Sequence, residues 1–391
     1  MSGGSLNSRL VVAVLGGLLG SMACRPASSS SSPDAGVTSS DAEPSTEVED
    51  PSSSEQPTEH VAASEPPAPA PEPVVDDGPF AVPAPEVREA LAAIRPDPPP
   101  KHLVRDTHYW ISNEQSHFLW HEAVQGVGGA FLGVATDQNY LLAGWARSEL
   151  LILMDFDAGV VDLHRVYGVM FDRAKSPAEL LELWSESQQE QVQQWLRSDL
   201  PPEHVEPALV AYDGARPLVE QRLRSVEEQY RQRGLATFLS DAEQFEHLRT
   251  LWRNGRVVAV RGDLTADQTM VDIAAALRVA GMELGVLYLS NAEQYFRYQP
   301  SFRRNITELP MASNGVVLRT NGWIQFGYVK DEDYHYNTQP APSFAEWMAR
   351  GRAWGVPAML EQRSKTSTRG YSMLGGPPSR RSGRKSPSSK G

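Results

Sequence analysis

Residues 130–155 read AFLGVATDQNYLLAGWARSELLILMD, and their pattern indicates the fold class of the chain. Residues 130–135 and 150–154 are short apolar runs, which are typical of strands with both faces buried. Residues 137–146, between these runs, are predicted to form a helix that begins after a polar residue. A strand, a helix and a second strand in this order predict a parallel pair, the repeating unit of an α/β sheet.

The same alternation resumes after residue 255. We predict three more strands and three more helices in this part of the chain: strands at 257–260, 284–289 and 316–319, and helices at 266–280, 292–297 and 344–354. Thr320-Asn321-Gly322 connects the last of these strands to a run at 324–329, which predicts an antiparallel hairpin. Helices are also predicted at 112–124 and 160–171. Strands that alternate with helices imply a mostly parallel sheet covered on both faces, so the predicted fold is Rossmann-like α/β.

Residues 173–255 contain no strand signal and are predicted to be a helical insertion. Its predicted helices span 177–197, 217–233 and 241–253. Pro201-Pro202 and Pro217 separate the first two, because proline interrupts helical hydrogen bonding. We expect the insertion to lie above the sheet as a cap.

Composition separates a core-forming part of the 391-residue chain from two ends. Of 30 prolines, 17 lie within residues 25–100, and 30 of 32 aromatic residues lie within 101–361. We therefore predict a disordered acidic tether, rich in Pro, Ser and Ala, at 24–100 and an α/β domain at 101–361. Residues 362–391 carry eight basic side chains and no acid, which predicts a disordered tail able to meet anionic lipid, polysaccharide or nucleic acid.

The first residues have the pattern of an export signal. Arg9 is the only charge before the apolar residues 10–23, a run too short for a typical membrane span. The only cysteine, Cys24, follows directly, and this arrangement resembles the bacterial lipoprotein signal. The resemblance implies cleavage of residues 1–23 and acylation of Cys24, although Ser21 stands where that family usually has Leu, Val or Ile. A simple signal peptide and an uncleaved anchor helix are the alternatives.

Polar residues follow the predicted strands, at the edge where open α/β sheets bind ligands. In the first loop, Gly133, Gln138 and Asn139 precede a helix whose backbone N–H groups favour an anion. After the second strand, Asp155 could accept hydrogen bonds from a ribose, and Asp263 after the third strand could contact an adenine. The alternative for both acids is that they cap the following helices. We predict these five residues as a cofactor-binding set.

The loop after residue 289 holds the densest group of polar side chains. Asn291, Glu293 and Tyr295 are the catalytic candidates, since an amide can bind donors and acceptors while a carboxyl and a phenol can transfer protons. A helix start with Ser290 as its cap would explain the same residues equally well. His117 and His121 lie four residues apart, but no third ligand is evident, and we predict no metal site.

Four stretches together resemble an uncharacterised bacterial domain family with a methyltransferase-like Rossmann fold: Ile111-Ser112-Asn113-Glu114 and residues 133–139, 155–167 and 288–295. In that family the first loop usually reads Gly-Val-Gly-Pro-Glu-Gln-Asn. Here Gln138 and Asn139 match, while Ala135, Thr136 and Asp137 depart from it. The late hairpin also resembles the methyltransferase form of the Rossmann sheet. The resemblance implies this fold and makes S-adenosylmethionine a possible cofactor, with no certain one.

Three functions remain open. The first is an exported, lipid-anchored protein that binds a small ligand or an envelope protein, held in the bacterial cell envelope on the periplasmic or surface side. The second is an S-adenosylmethionine-dependent methyltransferase, and the third a nucleotide-sugar transferase that uses Asp155 and Asp157. The first is favoured, because both cosubstrates are made in the cytoplasm. Nucleic acid is an unlikely partner of the acidic domain, and one cysteine excludes a disulfide scaffold.

Overall fold

The computed structural model describes residues 78–378. The predicted signal peptide, Cys24, most of the predicted tether and the end of the tail lie outside these residues. Within the described part of the chain, no helix is long and apolar enough to cross a membrane.

Eight strands form one mixed sheet in the order β3-β2-β1-β4-β5-β6-β8-β7. They are β1 (Ala130–Gly133), β2 (Leu150–Asp155), β3 (Val257–Arg261), β4 (Leu284–Tyr288), β5 (Met311–Asn321), β6 (His335–Pro340), β7 (Ser364–Lys365) and β8 (Tyr371–Met373). The first five strands are mutually parallel. β6 runs antiparallel to β5, so the fold is α/β with a mostly parallel sheet and a C-terminal antiparallel pair.

Twelve α-helices accompany the sheet within residues 78–378. They are α1 (Pro85–Ala92), α2 (His121–Val124), α3 (Gln138–Ala146), α4 (Ala158–Arg173), α5 (Pro177–Glu182), α6 (Gln189–Asp199), α7 (Pro202–Gln232), α8 (Ala242–Arg253), α9 (Thr269–Val279), α10 (Pro300–Glu308), α11 (Ala341–Arg350) and α12 (Val356–Leu360). Two apolar clusters lie on opposite faces of the sheet. Helices α3, α4 and the insertion cover one face, and α1 with α9 to α12 cover the other.

The strands alternate their side chains between these two clusters. Leu151 and Leu153 of β2 face the insertion side, whereas Leu150, Ile152 and Met154 face the α9 side. All of these side chains are buried, so both faces of the strand must be apolar. This explains why the continuous apolar runs identified the central strands correctly.

The antiparallel partner of β5 differs from the predicted one. Thr320 and Asn321 still belong to β5, and Ile324–Phe326 is a short 3-10 helix rather than a strand. β6 pairs instead, with Asn321 opposite His335 and Val316 opposite Pro340. The predicted hairpin is therefore wrong in its connection, because thirteen residues, rather than the predicted four at 320–323, connect the paired strands.

Between α4 and β3 the structure has four α-helices, α5 to α8, whose breaks differ from the predicted ones. Pro217 lies inside the 31-residue α7, which begins at Pro202 and also contains Pro207. α7 and α8 pack against α4 on one face of the sheet, so the insertion is an outer layer rather than a cap above the strand ends. α7 stays continuous because its buried face supplies packing energy that exceeds the cost of interior prolines.

Residues 78–100, which the composition assigns to the tether, pack on the α/β unit. Leu91 and Ile94 are buried in the cluster that contains α9. The buried Asp97 accepts hydrogen bonds from the backbone N–H groups of Asp263 (3.0 Å) and Thr269 (3.3 Å). At the other end, β7 and β8 extend the sheet into residues assigned to the tail. Each of these two segments contains few apolar residues. These are enough to hold the segment in place, because it packs on the surface of the folded α/β unit.

Two shortened chains test the role of residues 78–100. A chain of residues 101–391 should be at least about 3 kcal/mol less stable than one of residues 78–391, because Leu91 and Ile94 each contribute about 1.5–3 kcal/mol of apolar burial. Urea unfolding followed by circular dichroism measures the difference. Identical unfolding midpoints would show that this segment contributes nothing to the folded unit.

Candidate functional site

Residues 108–116, called the strap below, cross the carboxyl edge of the sheet without forming a helix or strand. The prediction of a helix over 112–124 is therefore wrong in its first half. Helical structure begins only with the 3-10 turn His117–Trp120. The strap follows the strand ends in their order in the sheet, from β2 through β1 and β4 to β5 and β6.

The first half of the strap is held at the N-terminus of α4. Nδ1 of His108 lies 2.8 Å from a carboxylate oxygen of the buried Asp157, which also caps α4 through the N–H of Gly159. His108 stacks on Trp110 with ring centroids 4.6 Å apart. A Cβ on Gly159 would lie 2.9 Å from both side chains, so glycine is what allows this close approach.

The centre of the strap carries the buried carboxylate of Glu114. It accepts hydrogen bonds from Thr320 Oγ1 (2.6 Å), Tyr288 OH (2.7 Å) and Ser290 Oγ (2.8 Å), at the ends of β5 and β4. His117 Nε2 lies 3.2 Å away. Burial raises the pKa of Glu114, but the contacts with His117, Thr320 and Tyr288 outweigh it, and the pKa lies below its ordinary value. Glu114 is therefore ionised at neutral pH.

An ion pair fixes the strap to the helical insertion. Arg222 of α7 binds the buried Asp137 carboxylate at 3.0 Å, the backbone oxygen of Glu114 at 2.9 Å and Oε1 of Gln115 at 2.8 Å. Asp137 also accepts the N–H of Ser112 at 2.8 Å. Asp137 directly precedes α3, but its carboxylate forms no hydrogen bond with the N–H groups of the first turn of that helix.

The end of the strap is tied to the segment before β6. The Glu332 carboxylate accepts hydrogen bonds from Ser116 Oγ, from the N–H of Gln115 (3.1 Å) and from Tyr336 OH (2.7 Å). Tyr336 OH in turn accepts the N–H groups of Gln115 and Ser116. The strap therefore closes over β5 and β6 as well.

Four of the five predicted cofactor residues lie together under the strap, and most of their side-chain polar groups form hydrogen bonds within the protein; the buried Oδ1 of Asn139 has no partner among the described residues. Asn139 donates to three carbonyls of the β1–α3 loop, and Gln138 donates to Tyr288 OH at 3.0 Å. A Cβ on Gly133 would lie 2.1 Å from Oδ1 of Asn139. Asp155 accepts the N–H of Ala135 at 2.9 Å, and Ala135 adopts the left-handed region with φ +65°. Glycine would suit this position better.

Asp155 and His164 support the left-handed turn at Ala135. Burial and the neighbouring Asp157 raise the pKa of Asp155 to about 6, although backbone hydrogen bonds oppose the shift. Burial lowers the pKa of His164 to about 4, so this imidazole is neutral at pH 7. Nδ1 then accepts from Tyr140 OH at 2.9 Å, and Nε2 donates to the oxygen of Ala135 at 2.8 Å.

The fifth residue of the set, Asp263, lies apart from the other four. Its carboxylate accepts the N–H of Thr265 at 2.7 Å and the Thr265 hydroxyl at 2.8 Å. These contacts close a local turn before α9. Asp263 does not cap α9, which begins only at Thr269 after Gln268.

The three catalytic candidates lie in different environments. Glu293 is buried in an ion pair with Arg319, 2.5 Å from its Nε, and accepts Tyr298 OH. Asn291 is half-buried at the start of a 3-10 turn, and Tyr295 is 59 % exposed. The structure therefore separates Glu293 from the other two, and it gives Glu293 a partner that accounts for its burial.

Three tyrosines and one asparagine lie at the exposed part of the strap. We call these four residues, Tyr109, Asn113, Tyr295 and Tyr334, the tyrosine rim. Asn113 donates to Tyr334 OH at 2.6 Å. Burial and the Glu114 carboxylate raise the pKa of Tyr334 to about 12, and Tyr295 and Tyr109 are near enough to contribute. Tyr109 is 41 % exposed, so the rim offers aromatic rings and neutral hydrogen-bonding groups to a ligand.

An open cavity of about 380 Å³ lies between residues 328–333 and Arg369, next to Tyr334 in the chain. It is lined by side chains of both charges. No group of three His, Cys, Asp or Glu side chains within residues 78–378 is arranged to hold a metal ion.

Sequence reasoning missed Glu114, Tyr334 and the pair of His108 and Asp157. Glu114 was visible only as part of Ile111-Ser112-Asn113-Glu114, the first stretch of the family resemblance. A carboxylate next to apolar residues and histidine resembles an ordinary amphipathic helix start. Its partners Tyr288 and Thr320 are more than 170 residues away, and no local pattern reports such a contact.

The comparison with known families identifies the domain. The sequence profile of a domain of unknown function, DUF7790, matches residues 109–375. The chain belongs to this family. The matched region begins inside the strap and ends after β8, so the strap and the last strands are parts of the family domain. None of the curated proteins compared with the chain matches it significantly.

Replacing Glu114 tests whether the buried carboxylate holds the strap. Glu114→Gln should lose about 2–4 kcal/mol of unfolding free energy, since an amide NH₂ would face hydroxyl donors that now bind an ionised oxygen. Glu122→Gln, at an exposed position, is the control and should change stability by less than about 0.5 kcal/mol. Urea titration at pH 7 provides both values.

The difference in unfolding free energy between the wild type and Glu114→Gln should also depend on pH. The pKa of Glu114 is lower in the folded state than its ordinary value of 4.5, so its contribution is complete above that pH. The stability difference between the wild type and Glu114→Gln should narrow as the pH falls below about 4.5 and the carboxylate takes a proton. A difference that is constant down to pH 3 would contradict an ionised Glu114.

Proposed function

We propose that this chain is an exported protein, anchored through lipid on Cys24, whose Rossmann-like domain binds a small ligand or an envelope partner without a nucleotide cofactor. The order β3-β2-β1-β4-β5 supports the Rossmann-like assignment, because doubly wound sheets have this order. The antiparallel strand after β5 fits the methyltransferase type that the sequence resembles. The acidic composition of residues 101–361 disfavours nucleic acid.

The strap is the structural feature that supports this proposal most directly. In open α/β sheets, ligands bind outside the carboxyl ends of the strands, at the point where the strand order reverses. Here that point lies between β1 and β4, and the strap crosses it with Glu114 bonded to Tyr288 and Ser290. Two of the predicted cofactor residues are engaged within the protein: Asp155 accepts the N–H of Ala135, and Gln138 donates to Tyr288 OH.

The tyrosine rim is the part of this edge that stays accessible. It presents phenol and amide groups, while the neighbouring Arg297 lies over the ring of Trp354 instead, and this favours neutral ligands over phosphorylated ones. The ionised Glu114 lies beneath it and would repel a further negative charge. We infer that the bound molecule is neutral at the rim and contacts Tyr295 and Tyr109.

An active S-adenosylmethionine-dependent methyltransferase is the second candidate. The position of Asp155 at the carboxyl end of β2 favours it, because an acid there binds ribose in Rossmann-type sites. Its carboxylate, however, already accepts two backbone N–H groups, from Ala135 and Asp157. Methyl transfer would require the strap and the β1–α3 loop, which contains Ala135, to rearrange together.

Calorimetry with S-adenosylmethionine separates the two candidates. The unlipidated chain of residues 25–391 should show no heat of binding at ligand concentrations up to about 1 mM, because the strap fills the cofactor position. Micromolar binding that Asp155→Ala abolishes would instead establish the methyltransferase. NADH serves as a second nucleotide probe under the same conditions.

Metabolic labelling tests the anchor. Cells that express the full chain with an alkyne analogue of palmitate should label it, and Cys24→Ser should abolish the label because the chain has no other cysteine. A membrane fraction that contains the wild type but not the variant gives the same result by a second route. Equal labelling of both proteins would contradict lipidation at Cys24.

A further inference from the structure

Three strongly exposed apolar side chains lie on neighbouring segments that follow β4 and β5. Ile324 is 76 % exposed, Tyr295 59 % and Trp354 53 %. Their segments touch one another: Gln294 accepts the N–H of Gly322 at 3.0 Å, and the N–H of Tyr298 donates to the oxygen of Trp354 at 3.0 Å. Grouped exposed apolar side chains of this size mark an interaction surface.

Two arginines accompany these side chains, one over the ring of Trp354 and one two residues before it in the chain, although residues 101–361 are acidic overall. Arg297 lies over the ring of Trp354 at 5.5 Å, and Arg352 binds the backbone oxygen of Pro378 at 3.2 Å. Neither arginine forms an ion pair within residues 78–378. Tyr295, Arg297, Ile324, Arg352 and Trp354 are called the basic aromatic face below.

Acids also lie near this face: the exposed Asp333 has its backbone oxygen 3.7 Å from the position that a Cβ on Gly322 would take. Glu346 forms an ion pair with Arg350, and Glu361 is exposed beside Arg363. The chain continues from Pro378, next to Arg350 and Arg352, into thirteen residues with five basic side chains and no acid. Positive charge is thus concentrated at one place in a chain whose net charge is −13.

We propose that the basic aromatic face docks on an anionic phospholipid bilayer. Tryptophan and tyrosine favour the interface between lipid headgroups and acyl chains, where the ring is apolar and its polar atom stays hydrated. Ile324 would enter the same layer. Each arginine close to an anionic surface strengthens binding by about fivefold, and basic residues 379–391 add to the same attraction.

A lipid surface fits these observations better than a soluble partner. The inference goes beyond the proposed anchor, because it concerns which face of the domain meets the membrane. Residues 25–77 can span at most about 175 Å when extended, so an anchor at Cys24 leaves this face free to reach the bilayer. Anchoring also keeps the domain at the surface, where weak docking becomes effective.

Vesicle sedimentation with the unlipidated chain of residues 25–391 tests the proposal independently of Cys24. The chain should bind vesicles of equal parts phosphatidylglycerol and phosphatidylcholine at least about tenfold more strongly than phosphatidylcholine alone. Binding should fall as NaCl is raised from about 50 mM to about 500 mM, because exposed charges are screened. Equal binding to both vesicle types would overturn the proposal.

Variants locate the binding surface. Ile324→Ser and Trp354→Ser should each weaken vesicle binding about fivefold, and the double variant Arg297→Glu/Arg352→Glu at least about tenfold. Val210→Ser is the matched control, since Val210 is 62 % exposed on α7, and should bind as the wild type does. Circular dichroism confirms that each variant is folded. Unchanged binding by folded face variants would overturn the assignment.

Two further outcomes are decisive. Loss of binding in a chain of residues 25–378, with no effect of the face variants, would assign the contact to the basic tail alone and refute the face. A concentration-dependent dimer that Trp354→Ser abolishes, without binding to anionic vesicles, would identify a second copy of the chain as the occupant. Vesicle binding lost in both the face variants and the shortened chain supports the proposal.

Discussion

The buried carboxylate of Glu114 is the interaction on which the arrangement of the carboxyl edge depends. An ionised group without water is stabilised only when several donors replace its hydration. Thr320, Tyr288, Ser290 and His117 supply those donors from β5, β4 and the turn that follows the strap. Because the donors belong to different elements, satisfying Glu114 requires the strap to lie across the sheet, and this placement determines which part of the edge stays open.

The central fold was predictable because its signals are local. The apolar runs that became β1, β2 and β4 are continuous, and a strand buried on both faces requires such runs. The partner of β5 was not predictable in the same way. Pairing depends on a surface offered by a distant strand, and the polar sequence of β6, His335–Pro340, lacks the alternation that marks a strand.

The sequence predicted where the site lies, but it did not predict what the individual residues of the site do. Strand-end loops were the right places to search, since the carboxyl ends of parallel strands converge at one edge. Sequence could not show that Arg319 binds Glu293 or that Thr265 binds Asp263, because the same residue types also suit catalysis. Glu114 escaped notice for the opposite reason: its environment is built from residues far along the chain.

The strap is a docked part of the folded domain. Amide hydrogen exchange of residues 25–391, followed by mass spectrometry or NMR, tests it most directly at Ser112, Gln115 and Ser116, whose N–H groups donate to buried side chains. The account predicts that these amides exchange only in openings nearly as costly as global unfolding. Exchange as fast as that of the exposed turn at residues 366–369 would contradict it and leave the sheet edge open to a cofactor.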